Sequence, residues 1–337
     1  MKELAPWKLN RYPVGWYCVG FSDEIKKGKT KIQEIGGKDV VLFRTEKGEI
    51  KALDSICPHL GAHLGYGGKV VKESIRCPYH GLCFKGDGSC ENQDNRQYLK
   101  TNSFPIKEVF GIIMLYLGPS EIGPKFELPE LKQDGWSSLR YSKWTVRGHV
   151  QDMAENNFDY NHFSVVHGYS NLEIIDKFNS DGPLLKSKVS MTRHSGILGK
   201  KSAPINVGFE TQIYGLGFSY IQTLIKNNNL RLRQFVLGTP RNDEQIDVRI
   251  AVAIKLPDKI SKIHPLLNLV PKSWVKSFTL KQVHKNYIKD FKQDLKIWDN
   301  KEYFHPPNLI SGDGPITQYR FWAKQFYEGP GISLQPA

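Results

Sequence analysis

The sequence predicts an α+β protein: an all-β N-terminal domain, then a domain whose antiparallel sheet is flanked by helices. Three observations carry that reading. Short β-forming runs, broken by Lys- and Gly-rich turns, fill the chain from Trp16 to about Leu117. Four longer β segments crowd between Val207 and Lys255. A helical stretch precedes these segments and another follows them, the segregation expected of an α+β domain.

Taken in order, Trp16–Val19 and Asp39–Phe43 are the first strands, and Glu46–Glu49 is a hairpin turn. Gly81 to Cys90, with Gly86-Asp87-Gly88 at its centre, is a second hairpin. Gly111–Leu117 is a buried strand that closes the first domain at residues 1–118. Residues 119–137, with Pro119, Pro124 and Pro129, form a linker, and 138–337 the second domain. There a strand Leu139–Val146 leads into Gly148–Gly168, which reads as helical until Gly168 stops it. A polar loop is expected next. Strands follow at Val207–Ile213, Gly217–Ile225, Leu230–Thr239 and Ile246–Lys255, with Arg241–Gln245 turning between the last two. A helix from about Ser277 to Tyr303 and a Pro/Gly-rich tail complete the chain, which has no internal repeat.

Composition narrows the class. The 337 residues suffice for two sizeable cores. With 39% hydrophobic and 24% charged residues, this is the make-up of an ordinary globular protein. No run reaches the ~18 apolar residues of a membrane span, and the first seven residues lack an apolar signal core. Ile263–Phe278 comes nearest to a span, but Pro265, Pro271, Lys272 and Lys276 interrupt it. It reads as a surface segment open to peripheral contact with a membrane or a greasy ligand source. The net charge of +13 comes without a clustered basic arm or a nucleic-acid motif, so nucleic acid is not expected. A solvated surface, or a face for an acidic electron-transfer partner, accounts for it.

The stretch Cys57 to His80 concentrates the chemistry. Each of two short Pro/Gly-containing loops offers one thiolate and one imidazole, Cys57 with His59 and Cys77 with His80. Two irons bridged by sulfides need four protein ligands, and with two imidazoles on one iron the potential rises well above that of an all-thiolate cluster. Two Cys and two His could also hold a structural zinc. Zinc fingers, however, pair Cys with Cys and His with His, whereas each loop here mixes them. Neither cysteine is a lone thiol with a distant His, which argues against a catalytic nucleophile. The remaining Cys18, Cys83 and Cys90 have no disulfide rhythm, which favours a reducing cytoplasm. The stretch resembles the Rieske 2Fe-2S domain, Cys-x-His followed by Cys-x-x-His-Gly. Leu82 stands where relatives have Trp, a change to packing beside the cluster and not to ligation.

A second constellation lies on the first predicted helix. Asp159 and His162, three apart, share a face, and a break near Val165-Val166 would bring His167 to His162. Two His and one carboxylate make the facial triad of non-heme Fe(II) sites. For the carboxylate, Asp294 lies among Phe291, Ile297 and Trp298 on an apolar stripe, a costly place for an unpaired Asp. Asp290, beside Lys289 and Lys292, reads as solvated, and Asp299 as outward-facing. Taken alone, two His on an amphipathic helix are more often core or surface residues than ligands.

Together the two constellations resemble the oxygenase component of Rieske non-heme iron oxygenases. The pattern Asn-x-x-Asp-x-x-His-x-x-x-x-His falls on Asn156, Asp159, His162 and His167, and a late Asp-x-x-Ile-Trp on Asp294, Ile297 and Trp298. The resemblance implies a helix-grip catalytic domain and a mononuclear Fe(II) on His162, His167 and Asp294. It implies that Asp159 links His162 to His80 of a neighbouring subunit in a head-to-tail homotrimer, and that Asn156 sits near the iron. It also implies O₂ as co-substrate and an NAD(P)H-dependent reductase, directly or through a ferredoxin, since the chain lacks a flavin or nicotinamide fingerprint.

Gly15–Glu24, Cys57–Lys69 and Asp294–Trp298 look like 3-ketosteroid 9α-hydroxylase oxygenases and cholesterol 7-desaturases. An apolar, steroid-like substrate and hydroxylation are therefore expected, with desaturation or another Rieske oxygenase substrate as alternatives. The eukaryotic desaturases typically carry an N-terminal membrane segment, missing here, which tilts the reading toward a bacterial-type monooxygenase. Phe209, Tyr214, Phe218 and Tyr220 suit an apolar pocket and suit an ordinary β-core equally. Outside the oxygenases stand a Rieske electron-transfer protein, which needs only about a hundred residues, and a zinc-stabilised binding protein.

Overall fold

The computed structural model describes residues 12–91, 99–119, 123–193, 196–197, 200–201, 204–259 and 270–327. The reading of the first seven residues, the end of the tail and the first part of Ile263–Phe278 lie outside them. The chain divides into two compact units. One holds the described residues up to Leu131 together with Thr239–Glu244. The other holds Lys132–Gly238 and the residues from Gln245 on.

The first unit is all β: β1 (Gly15–Phe21), β2 (Thr30–Ile35), β3 (Lys38–Arg44), β4 (Ile50–Asp54), β5 (Lys69–Val71), β6 (Ser74–Arg76), β7 (Cys83–Lys85), β8 (Ile106–Val109) and β9 (Ile112–Leu117). They make three small antiparallel sheets in the orders β1-β9-β8, β2-β3-β4 and β5-β6-β7. β1 and β9 are buried at every residue, so both faces of this pair are covered. Val41, Phe43, Leu53, Leu64, Ile75 and Phe84 form the apolar base on which Cys57 and Cys77 sit. Each such side chain contributes on the order of 1.5–3 kcal/mol through burial, so the two Cys loops rest on a fixed floor.

The second unit contains β10 (Arg140–Arg147), α1 (Val150–Glu155), α2 (Tyr160–Val165), β11 (Tyr169–Asp181), β12 (Leu184–Arg193), β13 (Gly196–Ile197) and β14 (Lys200–Lys201). It continues with β15 (Ile205–Tyr214), β16 (Phe218–Ile225), β17 (Leu230–Pro240), β18 (Gln245–Lys255), α3 (Lys272–Trp298) and α4 (Ile316–Ala323). A seven-stranded sheet runs β10-β18-β17-β16-β15-β12-β11. Val275 and Leu280 of α3 pack with Leu230, Leu232, Val252 and Ile254 of the sheet, fixing the start of the long helix.

Three differences from the sequence reading stand out. The helix expected over Gly148–Gly168 is two short helices, because Asp159 leaves helical geometry (φ −80, ψ 100) and caps α2, accepting the His162 N–H on its carboxylate. Asn and Asp side chains compete for backbone groups in this way and so favour caps over helix interiors. The expected polar loop after Gly168 is the hairpin β11–β12. Its register slips at three places, so the period-two signal of a strand is erased, and most of β11 is exposed. The expected tail contains α4, held by Arg320. That guanidinium pairs with both Glu155 oxygens (2.6 and 2.7 Å) and lies over the Tyr303 ring at 4.3 Å. The last turn of α1, and hence its C-cap Asn156, is anchored by this pair.

Candidate metal centres and substrate cavity

The two Cys loops share one backbone pattern. The Cys57 N–H donates to Ala62 and the Gly61 N–H back to Cys57 (2.8 and 3.0 Å). The Cys77 N–H donates to Leu82 and the Gly81 N–H back to Cys77 (2.7 and 3.2 Å). Gly61 and Gly81 hold φ +75 and +72, a region other residues enter at a cost, which explains a glycine four residues after each cysteine. Both thiols are buried, at 2% and 3% exposure, while His59 and His80 are exposed with ring centroids 4.7 Å apart. Burial pushes the Cys57 thiol up, and the adjacent Cys77 sulfur adds to the rise. Against this, the His59 and Leu60 N–H groups point at the Cys57 sulfur and favour its thiolate. Two converging sulfurs, the Cys57 one supplied with N–H donors, opposite two paired imidazoles, fit a 2Fe-2S cluster. His63 is engaged elsewhere: its Nε2 faces Asp39 (3.3 Å) and its Nδ1 accepts the Gly65 N–H. Leu82 packs on the apolar floor.

The second constellation converges in the other unit. α2 ends at Val165, and Gly168 at φ +69 turns the chain into β11, folding His167 back to His162. Their ring centroids are 5.2 Å apart. Asp294 enters from α3, its Oδ1 3.3 Å from His167 Nε2. One donor atom from each of His162, His167 and Asp294 lies within 4.8 Å of the others, and the side chains of His167 and Asp294 are only 7% and 9% exposed.

The surroundings orient the rings. His167 Nδ1 faces Gln293 Oε1 at 3.2 Å, leaving Nε2 toward Asp294. The Asn156 amide meets His162 Nε2 at 3.2 Å, and His162 Nδ1 hydrogen-bonds the Asp159 carbonyl. Burial lowers the His162 pKa and prevails over the pull of Asp294 and Asp159, keeping the ring neutral, with its acceptor lone pair on Nε2, where the Asn156 amide meets it. Burial also works against the charged form of His167, but Asp294 and Gln293 outweigh it and raise its pKa. Two imidazoles and a buried carboxylate that draws positive charge fit a divalent metal, and three ligands leave open positions for co-substrate.

This donor set forms part of the wall of a cavity of about 890 Å³, its open mouth included. Val189, Met191, Phe209 and Val236 give it an apolar sheet wall, and Phe163, Phe291 and Trp298 line it from the helices. Of the four aromatics named from sequence, Phe209 lines the cavity. Phe218 is fully buried and Tyr220 nearly so, both against Phe235, and Tyr214 packs on Phe218. Phe218 and Tyr220 are core residues and Tyr214 is half-buried off the cavity, because successive strand residues alternate between faces. Asp290 is not solvated: Arg193 holds it at 2.7 Å and contacts the Tyr169 hydroxyl at 3.4 Å. Ile297 is 46% exposed and lies off the apolar stripe that carries Asp294.

Sequence reasoning missed a row of residues on the sheet wall. Ser187, Thr211, Ile221 and Gln234 are directly cross-strand partners on β12, β15, β16 and β17, and all four line the cavity. The hydroxyls of Ser187 and Thr211 have no hydrogen-bond partner among the described residues. Gln234 accepts the Thr223 hydroxyl on its carbonyl oxygen, which leaves its NH₂ as a donor at the wall. Ser187 lies in the segment read as a loop, so no periodicity pointed to the row.

Comparisons with known proteins agree with this architecture. Residues 15–105 match the Rieske [2Fe-2S] domain, and residues 115–327 match the 3-ketosteroid 9alpha-hydroxylase C-terminal domain. A cholesterol 7-desaturase of Drosophila melanogaster is 28% identical over 96% of this chain and 76% of its own. The oxygenase component of a 3-ketosteroid-9-alpha-monooxygenase of Rhodococcus rhodochrous is 25% identical over 94% of this chain and 84% of its own. Among solved structures, dicamba monooxygenase bound to dicamba shares the fold at TM-score 0.64, with 18% identity over 96% of this chain and 98% of its own. NdmA of Pseudomonas putida CBB5, a QL mutant with theobromine, does so at TM-score 0.66, with 16% identity over 92% and 89%. Since the C-terminal match alone spans more than half of the chain, this protein belongs to the Rieske non-heme iron oxygenases of the 3-ketosteroid 9alpha-hydroxylase type, as a terminal oxygenase component that carries a 2Fe-2S cluster and a mononuclear iron and takes its electrons from a separate donor.

Proposed function

We propose that this oxygenase hydroxylates an apolar, steroid-like substrate, consuming O₂ and two electrons and releasing one oxygen atom as water. The observation that carries the reading is the cavity. An apolar lining meets His162, His167 and Asp294 on one side and the Ser187–Thr211–Gln234 row on the sheet wall. A flat, greasy skeleton fills the apolar part, and an oxygen at its edge accepts hydrogen bonds from the row, which orients it.

In this reading Cys57, His59, Cys77 and His80 hold the cluster, and His162, His167 and Asp294 hold the iron. The metal supplies O₂ activation, while the chain's own residues bind, orient and exclude water. Asn156 positions His162, whose Nε2 its amide contacts. Asp159 relays electrons and protons from His80 of the partner subunit in a head-to-tail trimer. Two features support that relay: the Asp159 side chain is 38% exposed while its carbonyl holds His162, and His80 is exposed with Leu60, Tyr66 and Tyr79 around the cluster loops. An apolar rim of that kind suits a surface covered on assembly. Domains at 1–118 and 138–337 joined by a linker remain our division of the chain. None of the five cysteines is in a disulfide, which supports a reducing cytoplasm.

Desaturation is the second reading, favoured by the 28% identity to a cholesterol 7-desaturase. Reconstitution with a surrogate reductase and a steroid panel separates the two by mass spectrometry. A hydroxylase product gains one oxygen and a desaturase product loses two hydrogens. No steroid product, with the cluster still cycling, would defeat the substrate assignment.

A further inference from the structure

We propose that the N-terminal half of α3 is a docking surface for anionic lipid bilayers. The buried side of this segment is already spent. Val275 and Leu280 pack into the sheet core, so the large apolar residues on the outer side are not needed to close that core. Trp274 is 71% exposed and Phe278 65%, one helical turn apart on the same face, and Val270 just before the helix is 37% exposed. Aromatic residues of this kind are the preferred side chains of the membrane–water boundary.

Charge selects the partner. From Lys259 to Lys289 the sequence holds seven lysines and no Asp or Glu. Lys272, Lys281, Lys285 and Lys289 are exposed and have no ion pair among the described residues. Lys281 and Lys285 continue the Trp274–Phe278 stripe at the same helical spacing. Placing lysines and no acid in the first turns opposes the helix dipole and lowers the helix's intrinsic stability. An anionic surface relieves both that clash and the lysines' mutual repulsion. An apolar wedge followed by a cationic stripe is the pattern of helices that lie in the bilayer interface, inserting aromatics while lysines meet the headgroups. The same helix carries Tyr287, Phe291 and Asp294 into the cavity wall. An interface-bound helix would therefore hold the substrate site of a protein that acts on membrane-partitioned molecules close to its supply.

Vesicle flotation tests this, and it contains no steroid, so its outcome is independent of the substrate assignment. The full-length holoprotein should float with phosphatidylcholine vesicles doped with phosphatidylglycerol and stay behind with phosphatidylcholine alone. Flotation should weaken with added salt. It should be lost in the Trp274→Ala/Phe278→Ala variant and weakened in Lys281→Glu/Lys285→Glu. Both variants should keep the wild-type circular dichroism melt, oligomeric mass and rate of cluster reduction in vesicle-free buffer. Failure of the wild type to float, or equal flotation of Trp274→Ala/Phe278→Ala, overturns the proposal. A drop in oligomeric mass would assign the patch to a second copy of the chain instead. Slower cluster reduction without vesicles would assign it to an acidic electron donor.

Discussion

Asp159 carries two jobs on one residue, and they are separable. Its carboxylate caps α2 by accepting the His162 N–H, while its carbonyl holds the His162 ring. Losing a cap costs about 1 kcal/mol, too little to unfold the unit or expel a metal. Asp159→Ala should therefore keep two cluster irons and the mononuclear iron per chain yet lose essentially all coupled turnover. Normal turnover in that variant removes Asp159 from the electron route. Asp294 differs, because its carboxylate is one of three donors that lie within 4.8 Å of one another. Asp294→Ala should retain the visible spectrum of the cluster and lose the third iron, read by metal analysis beside absorption. Retention of three irons would mean the carboxylate ligand lies elsewhere. The clustering of His162, His167 and Asp294 was legible in the sequence, the histidines by spacing and Asp294 as an acid on an apolar stripe. Asp290 was misread because its partner Arg193 is 97 residues away, and adjacent Lys289 and Lys292 suggested solvent.

At the level of elements, the split between α1 and α2 lets Asn156 reach His162, and Arg320 holds that split in place. Arg320→Met leaves the Glu155 carboxylate buried without its partner. The expected loss is about 3–5 kcal/mol in denaturant unfolding, and Glu155→Gln in the same background should recover much of it. Unchanged stability in the single variant would show that α4 does not anchor α1. The Ser187–Thr211–Gln234 row belongs to this scale too, since cross-strand register alone brings its members together. Thr211→Val keeps the volume and removes a donor. It should raise KM for an oxygen-bearing steroid about tenfold, the worth of one hydrogen bond, and alter the site of oxidation more than kcat. An unchanged KM and product would make the row part of the wall only. Strands with clean alternation were legible, as β15 to β18 were. β11 and β12 were not, because three register slips and an exposed outer strand erase the pattern.

For the molecule as a whole, the two units divide the labour between storing electrons and spending them. The first unit builds a small β scaffold whose loops present two sulfurs from inside and two imidazoles at the surface. The second builds a seven-stranded sheet and a long helix around a cavity with a two-histidine, one-carboxylate set in its wall. Among the described residues no helix is long and apolar enough to cross a membrane. The division into a β unit and an α+β unit was legible because each has its own periodicity. The cavity was not, since it is assembled from α1, α2, α3 and five strands distant in sequence. The most direct test is turnover of a steroid panel by the reconstituted holoprotein under isotopically heavy O₂. The account predicts a product carrying one heavy oxygen, absent in Asp294→Ala. A product that has lost two hydrogens without label, or labelled product undiminished in that variant, would contradict it.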